Sequence, residues 1–76
     1  MNIKHLITLT QLIEQRKTGS PAELAKSLGI SERMVYNYIE DLKHEFNAPI
    51  KYDRKARTYF YDGEGHIHLF WESEEK

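Results

Sequence analysis

No cysteine occurs among the 76 residues, which removes disulfide staples, thiolate metal ligation and a cysteine nucleophile together. A reducing, cytoplasmic setting is expected. Proline and glycine are scarce, at two and four residues, so each one marks a turn or the end of an element rather than a flexible or low-complexity texture. Long apolar runs are also missing. The N-terminal stretch MNIKHLITLTQLIEQRK is interrupted by Thr8, Thr10 and Gln11 and is followed by no small-residue cleavage site. It is expected to be a helix of the fold, not a signal peptide or a membrane span. The chain is short enough that one domain near the lower limit of a self-sufficient core is expected, with no room for a large active-site cleft. Finally, there is little excess of either charge: the formal net charge is -1.

That near-neutrality conceals an uneven distribution. Residues 1–61 carry ten Lys or Arg against seven Asp or Glu, whereas residues 62–76 carry one lysine against five acids. The concentrated basic patch is KYDRKAR at 51–57, where four basic residues accompany one aspartate.

Helical signals occupy the first 46 residues. Ile3, Leu6, Ile7, Leu9, Leu12 and Ile13 cover more than half of a helical wheel, a stripe broad enough to require burial against more than one neighbour. Thr18-Gly19 breaks this helix. Ser20 then reads as an N-cap, Pro21 as the first helical residue and Glu23 as the return partner of a capping box. Ser20, Pro21, Glu23 and Gly29 are all assigned to building the fold. Leu24, Ala25 and Leu28 form the apolar face of this second helix, and Gly29 ends it in a left-handed conformation. Ser31 caps a third helix whose Val35, Tyr38, Ile39, Leu42 and Phe46 lie in one sector. Arg33, Asn37, Glu40 and His44 face the other way, with Tyr36 and Lys43 along one shoulder.

Pro49 stops the helical pattern. Residues 50–52 and 58–61 are rich in aromatic and β-branched types and are joined by a polar link at 53–57, the pattern of a hairpin. Residues 66–71 alternate, with Ile67, Leu69 and Trp71 on one face, and predict a third antiparallel strand. The expected class is α+β: a three-helix bundle followed by a small antiparallel sheet. One domain is expected over 1–71, with 72–76 a frayed acidic tail.

From Leu6 to Tyr61 the chain resembles the N-terminal DNA-binding domains of bacterial regulators of the deoxyribose-operon-repressor and biotin-operon-repressor types. The resemblance rests on Leu24-Ala25, on Leu28-Gly29-Ile30-Ser31 at the turn, on Val35, Ile39 and Leu42, and on Pro49-Ile50 and Tyr52-Asp53-Arg54 leading through Arg57 to Tyr59. It implies a winged helix-turn-helix, with the third helix in the major groove of double-stranded DNA and the hairpin wing on backbone or minor groove. The sequence departs from the family pattern at Tyr36-Asn37-Tyr38-Ile39, where Tyr-Arg-Asp-Ile is common, and at Thr58, where a glycine often precedes the wing tyrosine.

Roles for individual residues follow from the wheel and from groove chemistry. Arg33, in the first turn of the third helix, can fork onto a guanine, and Asn37 can bond bidentately to an adenine. Tyr36 suits a phosphate or a thymine methyl, and Ser31 a phosphate. Lys51, Arg54, Lys55 and Arg57 are expected to neutralise phosphates along the wing. His5 and His44 read as surface residues. His66 and His68 share a strand face but have no third ligand, so no metal site or cofactor is expected, and no nucleophile motif or phosphate loop points to an enzyme. The leading expectation is a small sequence-specific regulator that pairs as a homodimer, through Ile67, Leu69 and Trp71 or through the first helix. The alternative is a winged helix that binds protein and not DNA.

Overall fold

The computed structural model describes residues 2–63 with their side chains, together with the backbone of 65–67 and 71–73. Three helices come first: α1 (Ile3–Gln15), α2 (Pro21–Leu28) and α3 (Glu32–Glu45). Two antiparallel strands follow, β1 (Ile50–Asp53) and β2 (Thr58–Tyr61), in the register Ile50 to Tyr61 through Asp53 to Thr58.

Local chemistry sets the helix ends. The Ser20 hydroxyl accepts from the Glu23 amide at 3.2 Å while Glu23 Oε1 accepts from the Ser20 amide at 3.0 Å, closing a reciprocal capping box in front of α2. Gly29 ends α2 at φ 69°, ψ 35°, and Ser31 Oγ accepts from the Met34 amide at 3.1 Å to begin α3. At the end of α1 the left-handed residue is Arg16, at φ 57°, ψ 44°, ahead of the expected Thr18-Gly19 break.

The core is assembled from all of these elements: Leu9 and Ile13 of α1, Leu24 and Ala25 of α2, Val35, Tyr38, Ile39 and Leu42 of α3, and then Ala48, Ile50 and Tyr59. Phe46, Leu6 and Leu12 are half-buried against it. The apolar stripe of α1 is only partly used. Ile3 and Ile7 remain 64% and 51% exposed, because the neighbours of α1 cover one side of the helix and not the whole of the wide stripe.

Among the described residues, neither 65–67 nor 71–73 adds a strand to the wing sheet. Instead β3 (Gly65–Ile67) pairs antiparallel with β4 (Trp71–Ser73) in a separate two-stranded sheet, with Ile67 opposite Trp71. Alternation has the same period on both arms of a hairpin as on one long strand, so it does not reveal where a chain reverses. No Gly, Pro, Asn or Asp occurs between His66 and Trp71 to mark the turn. Glu72 and Ser73, expected in the tail, lie on β4; His68, Leu69 and 74–76 fall outside the described residues.

Candidate nucleic-acid interface

The outward face of α3 is open. Arg33, Tyr36, Asn37, Glu40 and His44 are all exposed, as is Met34. Tyr36 is 50% exposed. The acids on this face are partly offset within the helix: Glu40 pairs with Lys43 Nζ at 3.6 Å and with His44 Nε2 at 3.2 Å. Ser31 is committed to its cap, although its residue is exposed at the start of the helix.

The first turns of α3 sit beside the wing. Tyr52 and Tyr59 meet edge-on across the strands, ring centroids 4.9 Å apart. Helix α3 packs against β1, and the Tyr59 hydroxyl is pushed up to about 12 by burial, then by the fields of Tyr36, Tyr52 and Glu32.

The wing tip is shaped by Asp53, whose Oδ1 accepts from the amides of Lys55 at 2.9 Å and Ala56 at 3.1 Å. This Asx turn, with Arg57 left-handed at φ 55°, reverses the chain in four residues. Arg54 and Lys55 are exposed, and among the described residues neither they nor Arg33 has an ion-pair partner. Lys51 and Arg57 are already engaged. Lys51 Nζ lies 2.7 Å from Asp62 Oδ2, which raises the lysine pKa, and Arg57 Nη2 lies 3.1 Å from Glu23 Oε1. The eight expected contact residues thus divide between the α3 face and the wing, and two of the four wing cations have internal partners.

Three features lie beyond the sequence reading. Glu23 is not confined to its capping role, since the same oxygen binds the wing. Thr18 and Thr58 form a buried junction: Thr58 Oγ1 accepts from the Thr18 amide at 3.2 Å, and Thr18 Oγ1 accepts from the Tyr59 amide at 2.8 Å. Thr58, where a glycine is common, therefore anchors the wing to the α1–α2 turn. His5 is half-buried, its Nδ1 3.2 Å from the Tyr38 hydroxyl, and so belongs to the α1–α3 contact and not to open surface.

Three helices with two caps at the turn, then a hairpin tied back to the bundle, match a known family. A family model described as an HTH domain covers residues 5–60. The chain belongs to the winged helix-turn-helix family. That family includes the N-terminal domains of biotin-operon and deoxyribose-operon repressor types, and membership implies DNA binding and transcriptional regulation. No curated protein and no solved structure matches the chain. Among the described residues, no helix of this winged helix-turn-helix domain is long and apolar enough to cross a membrane, and no group of three metal-ligating side chains is present.

Proposed function

We propose that this domain reads double-stranded DNA sequence-specifically, with α3 in the major groove and the wing on the phosphate backbone or in the minor groove. The observation that carries the reading is the joint exposure of Arg33, Tyr36 and Asn37 beside a wing whose Arg54 and Lys55 are uncommitted. A helix with its side chains is about 10–12 Å across, the width of a B-DNA major groove. Arg33 offers the planar fork that matches guanine O6 and N7, Asn37 the amide that matches adenine N6 and N7, and the wing cations release counterions from phosphates. One module of this size makes a small DNA interface, and pairing on two half-sites supplies the remainder. The exposed Ile3 and Ile7 of α1, or the β3–β4 hairpin with Ile67 and Trp71, are the surfaces for such a homodimer.

Fluorescence anisotropy with a random duplex at two salt concentrations tests this reading. Affinity falls steeply with salt, and Lys55→Ala reduces the logarithmic slope by about one. Absence of binding even at low salt would refute DNA recognition and assign the α3 face to a protein partner. On a selected site, Arg33→Ala costs about 1–3 kcal/mol and flattens preference at one base position.

A further inference from the structure

The wing tip does not stand alone. Between it and the α1–α2 turn lies an open groove of about 290 Å³, lined by Arg16, Lys17, Gly19, Glu23, Ala56 and Arg57. Three cations border it, contributed by segments some forty residues apart, against a single carboxylate.

Their positions are built into the fold. Arg16 caps α1 in the left-handed region, and its guanidinium carbon rests 4.9 Å from the centroid of the Phe60 ring on β2. Stacking of this kind orients the group while leaving its N–H donors free for an in-plane acceptor. Lys17 follows directly, its amide bonded to Leu12 O at 2.9 Å, which holds the backbone tight at the groove. Arg57 reaches the same groove from the wing and is held there by Glu23. Glu23 Oε1 also accepts from the Ser20 amide, so the carboxylate keeps a partner if Arg57 leaves. Both side chains of the ion pair are more than half exposed, 66% and 56%, so the pair exchanges readily.

We propose that this groove is a phosphate clamp for duplex DNA, in which Arg16, Lys17 and Arg57 grip the backbone and Glu23 is an internal competitor that holds Arg57 until a phosphate displaces it. The proposal rests on the DNA reading above and adds to it two contact residues and a brake. A phosphate oxygen accepts charge-assisted hydrogen bonds from guanidinium in the same geometry as a carboxylate. Replacing the Glu23 contact by DNA also releases condensed counterions, a gain that an internal pair lacks.

Anisotropy with a random duplex across a salt series provides the test, with circular dichroism verifying that each variant is folded. Arg16→Gln and Lys17→Gln each lower the salt slope by about one. Glu23→Gln retains a capping acceptor and tightens binding about two- to fivefold, the range expected for release of an exposed ion pair. In an Arg57→Gln background that gain disappears, because there is no arginine to release. If the parent domain binds but Arg16→Gln and Lys17→Gln leave the slope unchanged, the clamp is refuted while the DNA reading stands. If the Glu23→Gln gain persists without Arg57, its effect is general charge and the brake is refuted. If the parent domain shows no binding at low salt, the DNA reading itself fails.

Discussion

Glu23 serves two neighbours with one oxygen, and its ionisation strengthens both contacts. Hydrogen bonds from the Ser20 backbone and hydroxyl, followed by the Arg57 charge, hold its carboxyl below the ordinary 4.5. A depressed folded pKa contributes stability that is present above the unfolded value and lost as pH falls through the folded one. Thermal unfolding followed by circular dichroism therefore shows the parent chain more stable than Glu23→Gln at pH 6, with the gap narrowing as the pH falls through and below the ordinary carboxylate range. An unchanging gap would mean that the charge is irrelevant to the box. Thr18 tests the buried junction in the same way. In Thr18→Val the Tyr59 amide loses its 2.8 Å acceptor in a site where both threonines are nearly inaccessible. Urea denaturation shows a loss of about 1–3 kcal/mol; a loss below about 0.5 kcal/mol would mean that water substitutes for the hydroxyl.

At the scale of elements, α2 is delimited by two glycines in left-handed backbone that differ in what surrounds them. A Cβ at Gly29, φ 69°, meets nothing within 4 Å, so Gly29→Ala costs only the conformational strain, about 1–2 kcal/mol. A Cβ at Gly19, φ 74°, falls 3.0 Å from the Glu23 Cβ and 3.3 Å from its carboxyl, so Gly19→Ala adds a clash that displaces the capping box. Chemical denaturation ranks Gly19→Ala as the more damaging of the two, and the reverse order would contradict the geometry. The ends of α2 and α3 were legible in the sequence because a cap acts within three residues: Ser20 with Glu23, Ser31 with Met34, Gly29 on its own φ. The core face of α3 was legible for a similar reason, as Val35, Tyr38, Ile39 and Leu42 repeat at the helical period. The Glu23–Arg57 and Thr18–Thr58 links join residues 34 and 40 apart, and no local pattern encodes such a meeting. Likewise, Lys51 and Arg57 read as part of a basic strip because their carboxylate partners, Asp62 and Glu23, lie outside that strip in the sequence. The reversal that makes β3 and β4 a separate hairpin left no mark in an alternation common to both arms.

At the scale of the whole molecule, the DNA reading proposed above makes affinity depend, in a chain of near-neutral charge, on where cations stand and on whether two copies act together. The two dimer surfaces proposed above make different predictions. If α1 is the seam, Ile7→Glu shifts sedimentation towards monomer with little cost to folding, since Ile7 is half exposed already. If β3–β4 is the seam, Trp71→Glu does so instead, and a concentration-independent monomer in the unmodified chain would remove both. The junction between Thr18 and the start of β2 has a further consequence, for where the domain can be cut. A fragment ending near Phe46 would keep every helix, yet expose the Thr18 amide and hydroxyl that Thr58 and Tyr59 satisfy, and strip Ile50 and Tyr59 from the core. A fragment that keeps this junction therefore extends at least through Tyr61, and the hairpin is a wall of the building.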